Sequence, residues 1–248
     1  MQADWPALVG ACCSTREGGL SVGPYASLNL GNAVGDDPVA VADNRRRFAD
    51  RLEGARPLWL QQVHGARVVR ADDMAADASP LQADAAWTDE PGVACVVQVA
   101  DCLPVLLASI DGRAVAAAHA GWRGLAGGVL DATVAALCEG AGVEPSALQA
   151  WLGPCIGADA FEVGVDVRDA FAEAWVRDPA LLRCAPRPDG APRWRADLAG
   201  LARARLARLG LVKISGGSWC TVNDPSRFFS YRRDGVTGRF AAAVWRRG

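Results

Sequence analysis

The chain has 248 residues, of which 51% are hydrophobic and 22% charged, values typical of a globular protein with a buried core. Its formal net charge of −2 argues against general nucleic-acid binding, and no apolar run reaches the roughly 18 residues of a membrane helix. The N-terminal segment lacks the basic and apolar regions of a secretory signal. We therefore expect one domain over residues 1–248, located in the cytoplasm, with its eight cysteines reduced and no membrane partner.

The spacing of apolar residues alternates between helix and strand periods, with glycine and proline between the segments. In chain order it predicts a helix over 38–52, strands over 58–62, 66–71 and 93–99, a hairpin of 103–109 and 113–119, a helix from 124 to about 138, a strand over 148–152, helices over 165–176 and 197–209, a strand over 211–215, and a hairpin of 227–231 and 239–245. Residues 183–195 are typical of an exposed loop. Together these elements predict an α/β fold, a single domain whose mixed β-sheet core is flanked by helices.

Charge is distributed unevenly along the chain. Residues 1–160 contain 10 basic and 19 acidic residues, whereas residues 161–248 contain 16 basic and 9 acidic ones. One explanation is a surface effect of arginine-rich helices, and the other is that the C-terminal part supplies cations to an anionic substrate. Both explanations stay open at this point.

The chain contains only two histidines, and both follow apolar segments. His64 lies in QQVHG and His119 in AAAHAGWRG, each at the end of a predicted strand, where α/β proteins often place ligand sites. Cys102 lies at a break between two apolar strands, and the predicted hairpin brings it to the same end as His119. Two imidazoles and one thiolate suit Zn²⁺ with an open fourth position, and copper would also accept them.

From residue types alone, three interpretations of this trio are open. The side chains hold a metal, or Cys102 is a nucleophile with a histidine as its base, or the three are unconnected core and loop residues. Asp101, next to Cys102, needs partners if it is buried, because an unpaired buried carboxylate costs several kcal/mol. Backbone amides, an arginine or a metal ligand would satisfy it.

Two arginines and two aromatic residues are candidates for binding a substrate. Arg123 lies in Gly-Trp-Arg-Gly before a predicted helix, and Arg16 lies in a loop flanked by glycines, so each could hold an anion. Phe229 and Tyr231, in FFSYRRDG, could stack on a purine ring. The alternatives are an ordinary strand–helix turn for Arg123, an exposed ion pair for Arg16, and a hairpin with one buried face for the aromatics.

Several long segments, taken in order, resemble a known family. They are QQVHG, ADAAWTDEPGVACVVQVADCLPVLLA, AAHAGWRG, WLGPCIG with FEVG, and FFSYRRDGVTGR. Together they are similar to the YfiH-like family, also called the laccase-domain or multicopper polyphenol oxidase family, and more recently a purine nucleoside phosphorylase family. The resemblance extends from about residue 13 to residue 245 and implies a single-domain α/β fold related to cysteine-hydrolase-like folds.

The resemblance also implies a function. It implies a zinc site of His64, Cys102 and His119, phosphorolysis of adenosine, inosine, guanosine and methylthioadenosine, and adenosine deamination, for which Asp101 is the carboxylate nearest in sequence. The older family name implies copper-dependent oxidation of phenols, and some bacterial relatives are described as peptidoglycan editing factors. A Cys102-dependent hydrolase or amidase, and a metabolite- or metal-binding module without activity, remain the alternatives. Two histidines cannot supply the ligands of a multicopper cluster, so we rank phosphorolysis above phenol oxidation.

Overall fold

A computed structural model describes residues 4–72 and 80–248, and the side chain of Trp175 is outside this description. The strands of the described residues are β1 (Val9–Cys13), β2 (Arg56–Leu58), β3 (Val68–Arg70), β4 (Ala85–Thr88), β5 (Val93–Val99), β6 (Leu103–Ser109), β7 (Val115–Ala120), β8 (Leu148–Leu152), β9 (Glu162–Val163), β10 (Leu182–Cys184), β11 (Trp194–Ala196), β12 (Lys213–Gly216) and β13 (Phe240–Arg246). The helices are α1 (Pro38–Ala49), α2 (Trp122–Ala126), α3 (Val129–Ala141), α4 (Val165–Ala170), α5 (Ala172–Arg177), α6 (Leu198–Arg208) and α7 (Tyr231–Asp234). No helix in these ranges is long and apolar enough to cross a membrane.

The largest sheet has six strands in the order β12-β8-β6-β7-β4-β3. The predicted hairpin is present at its centre, where β6 and β7 pair antiparallel and Pro104 lies opposite His119. The outer pairs β12–β8 and β3–β4 are parallel, so the sheet is mixed, as predicted. Because β6 begins where β7 ends, the residues just before β6 and those near the end of β7 share one edge of the sheet.

A second sheet has four strands in the order β1-β13-β5-β2 and packs face to face on the first. Its strand β13 pairs with β1 and β5, so the predicted terminal hairpin of 227–231 and 239–245 is wrong. The reason is that Phe228 and Phe229 are fully buried in a loop, and the next residues form the short helix α7. The alanine-rich strand β13 belongs to this second sheet, and its residues Ala242 and Val244 pack in the core between the two sheets.

The molecule has four layers. Helix α1 and the turn after it cover the outer face of the four-stranded sheet, where Phe48 of α1 and the following Leu52 share a core cluster with Val96. Helices α3 and α6 cover the outer face of the six-stranded sheet with residues such as Leu130 and Leu201. The predicted α/β class, with mixed sheets flanked by helices, is confirmed.

Several predicted boundaries differ from the structure. The helix predicted after Gly124 is two helices, since Gly128 adopts a left-handed φ of 87° between α2 and α3. The helix predicted over 165–176 is likewise divided into α4 and α5, and the strand predicted over 58–62 is β2, which ends at Leu58. The loop predicted over 183–195 overlaps a small sheet in the order β10-β11-β9, which carries the exposed connection between β10 and β11.

Candidate metal centre

His64, Cys102 and His119 form one cluster at the edge of the six-stranded sheet. One ligand atom from each residue lies within 4.8 Å of those of the other two, and Cys102 Sγ lies 3.7 Å from His64 Nε2. The imidazole planes are nearly perpendicular, with ring centroids 4.7 Å apart. His64 is exposed and His119 is buried, so the cluster opens toward solvent on one side. The structure therefore brings together the three residues of the predicted trio.

A buried carboxylate that the sequence interpretation did not identify orients both histidines. His119 Nδ1 lies 2.8 Å from Asp84 Oδ1, and Asp84 is fully buried just before β4. The same carboxylate accepts the backbone amides of Val63, His64 and Gly65 at 3.2, 2.9 and 2.7 Å. These bonds hold His64 in a left-handed conformation with φ of 61°, which is uncommon for a residue other than glycine. Asp84 thus fixes the imidazole of one histidine and the backbone of the other.

The backbone at Gly121 lies so close to the cluster that there is no room for a side chain. A Cβ atom on Gly121 would lie 2.8 Å from His64 Cδ2 and 3.0 Å from Cys102 Sγ. A Cβ on Gly124 would lie 2.9 Å from the carbonyl oxygen of Gly65. The glycines of the Gly-Trp-Arg-Gly segment therefore allow α2 to lie directly against the cluster.

The charges of the cluster reinforce one another. Burial alone would raise the pKa of Cys102, but the adjacent imidazoles of His119 and His64 outweigh it and lower this pKa to about 6. Burial alone would lower the pKa of His119, but the Cys102 thiolate and the Asp84 carboxylate raise it to about 9. The pKa of Asp84 lies below its ordinary value, because hydrogen bonds from His119 and Gly65 outweigh the effect of burial. The cluster thus favours a thiolate, the form of cysteine that binds metals and attacks electrophiles.

Asp101 has protein partners on a neighbouring loop. Its carboxylate accepts the Thr221 hydroxyl at 2.6 Å and the backbone amide of Arg232 at 2.6 Å, and its own φ is 92°. A backbone amide was one of the partners expected for Asp101, and that of Arg232 is present. The side-chain bonds of Asp101 go to Thr221 and Arg232 rather than to the three residues of the cluster. Asp101, which directly precedes Cys102, therefore links the start of α7 to the segment that carries Cys102.

The partly exposed Arg16 lies over the buried ring of Phe229. The Arg16 guanidinium donates to the carbonyls of Ala26 and Pro225 at 2.8 and 3.1 Å, and it lies 4.7 Å from the centre of the Phe229 ring. Phe229 is fully buried, so its ring has no exposed face on which a purine could stack. The pair holds loops together, and among the described residues no carboxylate forms an ion pair with Arg16.

Tyr231 and Arg123 are both at the surface. Tyr231 is 62% exposed at the first residue of α7, the helix that Asp101 anchors. The exposed Arg123 guanidinium lies 4.3 Å from the centre of the Trp122 ring, and no carboxylate of a described residue forms an ion pair with it. Of the two aromatics proposed from the sequence, Tyr231 is the one whose ring is open to a ligand.

Arg239 is a further cation near the centre that the sequence interpretation missed. Burial lowers the pKa of Arg239, while the charges of Cys102, Asp101 and Tyr231 act to raise it. It donates to the carbonyls of Thr237 and Gly238, and it has no carboxylate partner in the described part of the chain. Arg239 ends the VTGR segment, but the sequence of this segment does not indicate that its pKa is affected by Cys102 and Asp101.

Comparison with known proteins agrees with this fold. A family model described as multi-copper polyphenol oxidoreductase laccase matches residues 10–247. A Pseudomonas aeruginosa protein named purine nucleoside phosphorylase is 54% identical over 98% of this chain and 96% of its own length. Escherichia coli purine nucleoside phosphorylase YfiH is 45% identical over 97% of this chain and 95% of its own length. A Neisseria meningitidis crystal structure matches with a TM-score of 0.91 and 46% identity, covering 100% of this chain and 98% of that one.

Fold and cluster thus define an α/β protein with a group of metal-type ligands at the edge of its central sheet. The chain belongs to the YfiH-like laccase-domain family. Its donor set differs from what the words multi-copper imply, because the whole chain has two histidines. The trio is the one group of three or more potential ligands found among the described residues. Such a set suits a single ion.

Proposed function

We propose that this protein is a metal-dependent purine nucleoside phosphorylase. The observation that carries the proposal is the His64–Cys102–His119 cluster, with donor atoms within 4.8 Å of one another, in a chain 54% identical to a protein named purine nucleoside phosphorylase. The reaction transfers the ribose of a nucleoside to phosphate and releases the free base. We propose adenosine, inosine, guanosine and methylthioadenosine as substrates, with deamination of adenosine as a side activity.

Zinc is the ion that we propose for the cluster. Two imidazole nitrogens and one thiolate are a common zinc donor set, and the exposed side of the cluster leaves a position for a substrate or water. The hydrogen bond between His119 Nδ1 and Asp84 leaves Nε2 of the ring free to coordinate. When bound, zinc would supply a Lewis acid that orients phosphate or activates a water molecule. Copper remains the alternative ion.

The surrounding residues have distinct proposed roles. Arg239 is our candidate for holding phosphate, because the charges of Cys102 and Asp101 act on its pKa and it has no carboxylate partner in the described chain. Tyr231 offers an exposed ring for the base. Asp101 is our candidate for positioning Tyr231 and Cys102, since it accepts the backbone amide of Arg232 in α7 and directly precedes Cys102. Arg123, at the start of α2, is the alternative phosphate ligand.

Product analysis with inosine tests this proposal. The zinc-loaded protein should release hypoxanthine and ribose 1-phosphate in phosphate buffer, and the release should stop when sulfate replaces phosphate. Sulfate is the matched control, because it has the shape and charge of phosphate but does not form the sugar phosphate. Equal release of hypoxanthine in sulfate would show hydrolysis, and no release by the zinc-loaded protein would overturn the proposal.

A second function is favoured by one observation, the low pKa of Cys102 beside a histidine. These are the features of a cysteine nucleophile with a histidine base. The corresponding reaction is hydrolysis of an amide in a cell-wall precursor: the Cys102 thiolate would attack the carbonyl carbon, the C–N bond would break as the amine leaves with a proton, and water would then hydrolyse the thioester to a carboxylic acid and the free thiol. Covalent capture of an acyl group on Cys102 in the zinc-loaded protein would support this function. Retention of zinc by a Cys102→Ser variant would favour it over metal ligation.

A further inference from the structure

Away from the metal centre, arginines surround a surface cleft of about 700 Å³. The cleft is lined by residues of β9 and β11, the connection between β10 and β11, and the start of α4. Four guanidinium groups line it, namely those of Arg187, Arg193, Arg195 and Arg232. These residues belong to the basic C-terminal part of the chain and include the end of the 183–195 segment, which the proposed phosphorolysis does not use.

One carboxylate serves three of these arginines. Arg187 donates from Nε to Glu162 Oε1 at 2.9 Å, whereas the nitrogens of Arg193 and Arg195 lie 3.8 and 3.6 Å from the Glu162 carboxylate. The last two distances exceed a hydrogen bond, so these guanidinium groups keep donors free. The only other acidic residue of the lining is Asp166, so four positive charges face two negative ones.

The fourth arginine connects this cleft to the metal centre. Arg232 donates from its side chain to the carbonyl of Glu162 at 3.0 Å, while its backbone amide donates to Asp101 at 2.6 Å. Asp101 directly precedes Cys102. A ligand that contacts Arg232 from the cleft would therefore contact the helix α7, which is hydrogen-bonded to the residue before Cys102.

We propose that the cleft binds a chain of two or more linked phosphates, at a site separate from the metal centre. Guanidinium groups bind phosphate oxygens in pairs, and Arg187, Arg193 and Arg195 all lie around the carboxylate of Glu162 in the lining of the cleft. A ligand must compete with Glu162 for these groups, and a multiply charged phosphate chain does so better than a single phosphate. The volume is within the range of small-molecule sites. This site goes beyond the proposed phosphorolysis, which needs one phosphate at the metal centre.

Calorimetric titration of the full-length protein with inorganic tripolyphosphate, and separately with ADP, tests the site and the source of the phosphates. We expect an Arg193→Gln/Arg195→Gln variant to lose about tenfold or more in affinity. The matched control is Arg177→Gln/Arg208→Gln, since these arginines also share one carboxylate, that of Glu173, on another surface. The control should bind like the wild type.

Two further variants test whether tripolyphosphate binds in the cleft rather than at the metal centre. A Glu162→Gln variant should bind tripolyphosphate several-fold more tightly, because the internal competitor for the arginines is removed. A Cys102→Ser variant should bind it unchanged, whether or not it catalyses phosphorolysis. Tripolyphosphate binding alone would assign a free phosphate chain, and ADP binding alone would assign a nucleotide. Binding of neither, equal loss in the control variant, or loss in Cys102→Ser would overturn the proposal.

Discussion

The carboxylate of Asp84 lies 2.8 Å from Nδ1 of His119 and accepts the backbone amide of His64 at 2.9 Å. One buried carboxylate thus orients the ring of His119 and holds the turn that carries His64. This contact also determines which nitrogen of His119 faces the cluster. A carboxylate bound to the far nitrogen of a metal-binding histidine raises the basicity of the ligand.

Replacing Asp84 by asparagine should weaken metal binding while preserving the size of the side chain. The asparagine amide would direct N–H groups toward the amides of Val63 and Gly65, which are themselves donors. We expect zinc affinity to fall by about 10- to 100-fold, measured by competition with a chromophoric chelator. Asp159→Asn, at a carboxylate 87% exposed, is the control. Unchanged zinc affinity in Asp84→Asn would contradict the role given to this residue.

Asp101→Asn distinguishes a positioning residue from a proton-transfer residue. Asparagine tolerates the left-handed backbone of this position. Its side chain has only one acceptor oxygen, so it cannot keep both the bond from Thr221 to one carboxylate oxygen and the bond from Arg232 to the other. Since α7 carries Tyr231, we expect KM for inosine to rise several-fold, with zinc content and kcat little changed. Steady-state kinetics with metal analysis measures both. A fall in kcat at constant KM would instead indicate proton transfer by Asp101.

The ionisation of Cys102 should be visible in its reactivity. Because the pKa of Cys102 is lowered to about 6, the thiolate forms as pH rises through 6 and is already present at neutral pH. In metal-free protein, we expect the rate of Cys102 alkylation by iodoacetamide to rise between about pH 5 and 7 and then level off. Peptide mass spectrometry separates Cys102 from the exposed Cys184. A rate that keeps rising to pH 9 would show that the imidazoles do not lower this pKa.

Arg239→Lys tests the proposed phosphate contact. Lysine keeps the positive charge but loses the planar fork that binds two phosphate oxygens at once. We expect KM for phosphate to rise about tenfold with little change in KM for inosine. Arg123→Lys is the comparison, since its guanidinium is exposed over Trp122. A larger effect from Arg123→Lys would transfer the phosphate role to that residue.

The sequence predicts the fold class and the cluster because both depend on local signals. Alternating apolar residues define the strands, and the β6–β7 hairpin explains why Cys102 and His119 share an edge. The terminal hairpin was predicted wrongly, since a run containing Phe228 and Phe229 has the composition of a strand although tertiary packing places it in a buried loop.

Asp84 and Arg239 could not be assigned from the sequence for a different reason. Asp84 lies 20 residues from His64 and 35 from His119, so its bonds exist only after the sheet has formed. A buried aspartate just before an apolar strand is a signal that it needs partners, but it does not identify them. Arg239 is one of 26 basic residues, and nothing in its neighbours distinguishes it from those that only bond carbonyls.

Zinc content measured together with phosphorolysis, on the same preparations, tests the central claim most directly. The wild type and a Cys184→Ser control should each hold about one zinc per chain and release hypoxanthine only when phosphate is present. A Cys102→Ser variant that folds like the wild type should lose both the zinc and this activity. Stoichiometric zinc in Cys102→Ser, or full phosphorolysis by metal-free wild type, would contradict a metal centre built from His64, Cys102 and His119.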